Sequence, residues 1–207
     1  MDPVRSAAAA LRVALEGLEP GIFDASAAAS LAEELALTEN ACGAAKLRMA
    51  ARAGECGAHR ERGFADVSDW VATATGSTVS DARQSLEAVA AVDACPETRD
   101  ALVKGHVSPA QAGEIARTER EVPGSEAALL AVAKTGSLGA VRSQARKRRL
   151  ESVDPEELHQ RQRAAREFRH WRDEMGMVCG SFRLQPVVGM SFVNRLDRET
   201  DRRWRTR

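Results

Sequence analysis

Apolar residues recur at spacings of three and four along most of the chain, a pattern that is typical of amphipathic helices. The first predicted helix carries its apolar residues at Val4, Ala8, Leu11, Leu15 and Leu18. A second, longer helix begins near Ser26 or Ser30 and runs to Gly54 or Gly57. Its apolar stripe is predicted at Leu31, Leu35, Thr38, Cys42, Ala45 and Met49. Because its alanine-rich faces allow close approach of a neighbour, we expect this long helix to be the spine of the domain.

Glycine and proline divide residues 66–119 into four short predicted helices. The breaks fall at Gly76, Pro96 and Gly105. The clearest start is Ser108-Pro109-Ala110-Gln111, where the serine caps, the proline takes the first helical position and the glutamine can return a hydrogen bond. Further helices are predicted at about 125–134 and 138–150, and Asp154-Pro155 begins another.

After Arg169 the pattern changes to an alternation of apolar and polar residues. Segments 168–173 and 177–182 predict a short hairpin, and a terminal helix opens near Pro186. The predicted fold class is therefore mostly α, a multi-helix bundle with a short C-terminal β-hairpin followed by a terminal helix. We divide the chain into a helical domain, 1–150, and a second part, 151–207, that packs on it.

The composition supports a helical globular chain. Of 207 residues, 43% are hydrophobic and 29% charged, which excludes wholesale disorder and a membrane protein. Only 4% are aromatic, so Ala, Leu and Val must fill most of the core, with Trp70 and Trp171 as its expected aromatic anchors. No secretory signal or apolar span is visible, and the four cysteines form no C-x-x-C pair. These features predict a cytoplasmic protein with free thiols.

Basic residues are concentrated at the rear of the chain, although 30 Lys and Arg balance 30 Asp and Glu overall. Residues 1–100 hold 9 basic and 16 acidic side chains, a net charge of −7. Residues 141–207 hold 17 basic and 10 acidic side chains, a net charge of +7. This asymmetry favours a polyanionic partner for the rear of the chain.

Two predicted helices carry this basic cluster. Arg142, Arg146 and Arg149 recur at spacings of four and three on the helix at 138–150. A second basic helix is predicted to contain Arg161, Arg163, Arg166 and Arg169. If the two helices lie side by side, their guanidinium groups form a strip that can contact successive DNA phosphates. The alternative is a solvated face whose cations pair with Glu151, Glu156, Glu157 and Glu167. The predicted DNA-binding residues are Arg142, Arg146, Lys147, Arg148, Arg149, Arg161, Arg163, Arg166 and Arg169.

Motifs for catalysis and metal binding are weak or missing. The sequence has no P-loop, no dinucleotide-binding glycine motif and no nucleophile elbow. Cys56 and His59 have the spacing of half a zinc site, but no second pair follows. We therefore predict no catalytic residue, no metal site and no cofactor. A dispersed carboxylate site of a metal-dependent nuclease remains an alternative, because carboxylates can converge in space from distant positions.

The order of small-residue and turn positions resembles the bacterial domain of unknown function 222. The matching residues are Gly63-Phe64, Ser68-Asp69-Trp70, Gly76, Ala82-Arg83, Pro96, Gly105 to Ala112, Ile115-Ala116, Trp171 to Met177, Gly180, Leu184, Pro186 and Gly189. The resemblance covers the chain from about residue 30 to its end. It implies a helical domain that precedes an HNH endonuclease module, since members of that family are commonly followed by one.

This sequence lacks the HNH module itself, because no paired His-Asn-His arrangement or zinc-ribbon cysteines occur. We expect a chain truncated before that module. The predicted function is a non-catalytic accessory domain that binds DNA through its basic helices. The alternative is a protein-interaction scaffold whose C-terminal helix docks on a nuclease module or on a second copy of the chain.

Overall fold

The computed structural model describes residues 2–205, which form eleven α-helices and two β-strands. The first helices are α1 (Pro3–Glu16), α2 (Ala25–Glu55), α3 (Ala58–Glu61), α4 (Val67–Thr75), α5 (Val79–Ala91) and α6 (Pro96–Val103). They are followed by α7 (Pro109–Glu121), α8 (Glu126–Thr135), α9 (Leu138–Glu151), α10 (Pro155–Ala164), β1 (Glu167–Arg172), β2 (Val178–Arg183) and α11 (Pro186–Arg205). The predicted fold class is confirmed.

The chain divides into two compact units, and the division falls between Ala145 and Arg146, inside α9. Within the described range, every buried apolar side chain belongs to the first unit. The largest fully buried ones are Leu102, Ile115, Leu129, Val92, Val107 and Val141. Alanine, valine and leucine dominate this core, as the scarcity of aromatic residues predicted. The predicted domain division at residue 150 stays a prediction.

Helix starts follow the capping residues. The Asp154 carboxylate accepts the backbone N–H groups of Glu156 and Glu157 at 2.9 and 3.1 Å, so the predicted start of α10 is confirmed. Helix α2 begins at Ala25, one residue before Ser26, so the predicted start near Ser26 is confirmed and the alternative near Ser30 is wrong. Asp24 rather than Ser26 or Ser30 is its cap, because the Asp24 carboxylate accepts the N–H of Ala27 at 2.8 Å.

The predicted capping box of α7 is confirmed and does more than begin a helix. Ser108 and Gln111 exchange their two hydrogen bonds, at 2.9 and 3.2 Å. The Gln111 side-chain amide also donates to the backbone carbonyls of Ala133, at 3.1 Å, and Gly136, at 2.9 Å. Gln111 is buried, so this one side chain ties the start of α7 to the end of α8.

The long helix α2 packs against α4, α5, α6 and α7, which confirms it as the spine of the first unit. The second half of its predicted apolar stripe is wrong. Met49 is 67% exposed, whereas Ala44, Leu47 and Ala50 are buried. The buried face carries Leu47 between two alanines, whose small side chains let the neighbouring helices approach closely.

Helices α5 and α7 pack closely against each other. Gly113 of α7 lies against Ala88 of α5, and a Cβ atom placed on Gly113 would be only 2.5 Å from the Ala88 Cβ. Two small residues at the crossing therefore bring the helix backbones together. The side chains on either side of this crossing line a groove on the surface of the first unit.

The second unit contains α10, the β-hairpin and α11. The strands pair antiparallel, with Trp171 opposite Cys179 and Phe168 opposite Phe182. Phe182 also meets Phe192 of α11 in an edge-to-face contact with ring centroids 5.0 Å apart. No described residue of this unit is buried.

The two tryptophans that were expected to anchor the core differ in their surroundings. Trp70 is half-buried and packs against the core, with the Arg62 guanidinium 5.4 Å from its ring centroid. Trp171 is 51% exposed, so its predicted core position is wrong. Trp171 lies on a sheet of only two strands, in a unit without a buried residue among those described.

Among residues 2–205, none of the helices combines the length and the apolar character that crossing a membrane would require.

Candidate nucleic-acid interface

Helix α9 presents part of the predicted basic surface. Val141 and Ala145 are fully buried and hold the helix in place. Arg142 and Arg146 follow each of them by one position and are exposed to solvent. Neither arginine has an ion-pair partner among the described residues. Arg142 and Arg146 are four positions apart on α9, which corresponds to about 6 Å along the helix axis.

The remaining basic residues of α9 are less accessible or are paired. Lys147 Nζ lies 3.8 Å from the Glu151 carboxylate on the same helix. Arg148 and Arg149 are half-buried. Within the described residues, Arg148 makes no ion pair. The end of the helix therefore carries one paired lysine and two half-buried arginines.

The second predicted basic helix is shorter than expected. Helix α10 ends at Ala164, so Arg166 follows the helix and Arg169 lies on β1, opposite Ser181. The helical placement of these two residues is wrong because the backbone of residues 167–172 pairs with β2 instead of continuing the helix. Their predicted role in DNA binding stays a prediction.

Glutamates neutralise part of this second cluster. The Arg161 guanidinium lies 2.6 Å from the Glu157 carboxylate, and Arg169 pairs with Glu167. Arg163 is exposed and makes no ion pair within the described part of the chain. Arg166 donates from Nε to the backbone carbonyl of Arg163 at 3.0 Å. The two readings of the sequence, free cations and paired cations, each describe some of these residues.

The candidate metal and catalytic residues do not come together. Cys56 is exposed, while His59 is buried and its Nδ1 atom has no hydrogen-bond partner in the described structure. The other three histidines, His106, His159 and His170, are exposed. Nowhere in residues 2–205 do three His, Cys, Asp or Glu side chains converge as a metal-binding group. The alternative of a dispersed carboxylate nuclease therefore finds no cluster to support it.

A basic groove that sequence reasoning missed lies beside the crossing of α5 and α7. Its cavity volume is about 550 Å³, and Arg117, Arg120 and Arg142 line it. Arg117 and Arg120 alternate with glutamates along α7, so a count of net charge over this segment does not reveal them. Their spacing of three was the signal that could have revealed them, because it places both on one helix face.

Comparison of the chain with protein-family models, curated proteins and solved structures found no match.

Proposed function

We propose that this chain binds nucleic acid through phosphate contacts and does not cut it. The observation that carries the proposal is the exposure of Arg142 and Arg146 on α9, one turn apart and without carboxylate partners in the described residues. Guanidinium groups form bidentate, charge-assisted hydrogen bonds with phosphate oxygens. Because Val141 and Ala145 are buried, the part of α9 that carries Arg142 is anchored to the core of the first unit.

The ion pairs elsewhere in the basic region do not prevent phosphate contacts. Both side chains of the Arg161–Glu157 pair are exposed, that of Arg161 by 65% and that of Glu157 by 54%. Exposed pairs of this kind contribute about 0 to 1 kcal/mol, which is less than a charge-assisted contact to phosphate of about 1.5 to 3 kcal/mol. A DNA backbone can therefore replace such a glutamate.

The resemblance to the domain of unknown function 222 supports an accessory role for this nucleic-acid binding. A phosphate-binding helical domain in front of an HNH endonuclease module would hold that module on DNA without selecting a sequence. We propose that the chain has this accessory role, and that cutting requires the separate module. Such contacts position a protein on the duplex and carry no base-specific information.

A salt titration tests the proposal. We expect a labelled duplex to bind with a log–log salt slope of about −5, the value for about six phosphate contacts. Replacing both Arg142 and Arg146 with glutamine should make the slope shallower by about 2, since each lost contact removes about 0.9. The matched control replaces Arg12 and Arg48, two exposed arginines of α1 and α2. Absence of binding at low salt, or equal loss in the control, would refute the proposal.

A second candidate function is supported by the apolar surface of the second unit. Trp204 and Val187 of α11 are 73% and 86% exposed, and Met175 in the hairpin turn is 82% exposed. Exposed apolar side chains in such numbers are typical of a surface that a partner covers. The partner would be a nuclease module or a second copy of the chain.

Sedimentation equilibrium at several protein concentrations examines this scaffold function. Self-association that Val187→Ser and Trp204→Ser reduce, without any affinity for the duplex, would favour the scaffold over nucleic-acid binding. A monomer at every concentration would exclude the second copy as the partner.

A further inference from the structure

A surface groove of the first unit has the composition of a phosphate-binding site. It follows the crossing of α5 and α7 and has a volume of about 550 Å³. Its cations are Arg117 and Arg120 of α7 and Arg142 of α9. We propose that this groove binds a phosphate group. The assignment rests on the proposed function only for the source of that phosphate, the backbone of the bound nucleic acid.

The charges of the groove favour an anion that two or more guanidinium groups can share. Arg117 is ion-paired with Glu114, whose side chain is only 5% exposed, so this pair fixes the position of Arg117. Arg120 and Arg142 are exposed and make no ion pair within the described residues. Besides Glu114, the lining includes one other carboxylate, Glu87. Three cations against two carboxylates leave a net charge of +1.

The floor of the groove admits a compact ligand. Ala88 and Gly113 line it and are both half-exposed. Because neither carries a large side chain, a phosphate can lie close to the helix crossing while guanidinium groups donate to it from the sides. An arginine fork matches two oxygens of one tetrahedral phosphate. The lining therefore combines a shallow apolar floor with cationic walls.

Pyrophosphate titrated into the full chain at low ionic strength tests the site directly. We expect binding by calorimetry, and a shift of the Gly113 amide resonance that places the ligand at the crossing. Arg120→Gln should weaken binding about tenfold, the loss of about 1.4 kcal/mol expected for one charged hydrogen bond. Arg99→Gln is the matched control, because Arg99 is exposed on α6 and does not line the groove.

A second variant gives a change in the opposite direction. Glu87→Gln removes a carboxylate from the lining and should tighten pyrophosphate binding severalfold, which loss of structure cannot imitate. Absence of binding by the wild-type chain, or equal weakening in Arg99→Gln, would overturn the site. Malonate binding as tightly as pyrophosphate would also overturn it, in favour of a carboxylate ligand.

Two further arms identify the source of the phosphate. If Arg120→Gln weakens duplex binding and pyrophosphate competes with the duplex, the source is the nucleic-acid backbone. If pyrophosphate binds in the groove but duplex affinity is unchanged in Arg120→Gln, the phosphate belongs to a free small molecule. Duplex binding without pyrophosphate binding overturns the groove and leaves the proposed function standing. Pyrophosphate binding without duplex binding supports the groove as a phosphate site and overturns the proposed function.

Discussion

The Gln111 side chain offers the sharpest test of how the first unit is held together. Replacing it with glutamate, Gln111→Glu, changes one amide nitrogen into an oxygen and keeps the shape. The side chain can still accept the N–H of Ser108, which preserves the capping box. It can no longer donate to the carbonyls of Ala133 and Gly136, which lie 3.1 and 2.9 Å from the amide nitrogen.

The size of the loss follows from burial. A buried acceptor left without its donor costs about 1 to 3 kcal/mol. The bond to Ala133 is buried, while that to Gly136 is only partly buried, so water can replace part of the second loss. We therefore expect the free energy of unfolding at pH 7 to fall by roughly 2 to 4 kcal/mol. That is a large share of the total of about 5 to 15 kcal/mol of an ordinary domain.

The destabilisation should depend on pH. Burial beside two carbonyl oxygens disfavours the charged form, so the pKa of the introduced carboxyl in the folded variant is raised above its ordinary value of about 4.3. Below that ordinary value the group is protonated in both the folded and the unfolded state, and ionisation contributes no penalty. As the pH rises above it, the unfolded chain releases the proton first, so the penalty grows.

Urea unfolding followed by far-ultraviolet circular dichroism at pH 4 and pH 7 measures both effects. The matched control is Gln84→Glu, which makes the same change at an exposed position of α5. Equal stability of the two variants at pH 7 would refute the tertiary role of Gln111. A penalty that does not change between the two pH values would refute the burial of the new charge.

Two further perturbations test the packing of the first unit. Gly105→Ala places a Cβ atom 2.1 Å from the Leu37 carbonyl oxygen in a backbone with φ of +78°, so it should destabilise far more than Gly76→Ala, where φ is +66° and no atom lies within 4 Å. Thermal unfolding compares them, with a loss of about 1 to 2 kcal/mol expected for the left-handed backbone alone at Gly76. Burial raises the pKa of the Cys95 thiol to about 11, whereas Cys42 is exposed. At pH 8, a thiol reagent should therefore modify Cys42 rapidly and Cys95 only on unfolding, and equal rates would contradict the buried position.

The sequence by itself determined the features that depend on neighbouring residues. The start of α7 at Ser108 and that of α10 at Asp154 could be predicted, because a cap is satisfied within one helical turn. The hairpin could be predicted for the same reason, since its turn and alternation are local. Helix starts, helix ends and the alternation of strand residues follow local rules, and these were sufficient to predict the fold class.

Only the tertiary structure decided which helix faces are buried and which charged side chains from different helices lie together. The stripe through Met49 fits a local pattern, but α2 packs through Ala44, Leu47 and Ala50, where the two alanines admit close neighbours. Arg117 and Arg142 are 25 positions apart in the chain, and the packing of α5, α7 and α9 brings them to one groove. The periodicity of a single helix cannot predict that these two arginines lie in one groove, because their proximity depends on the distances between helices.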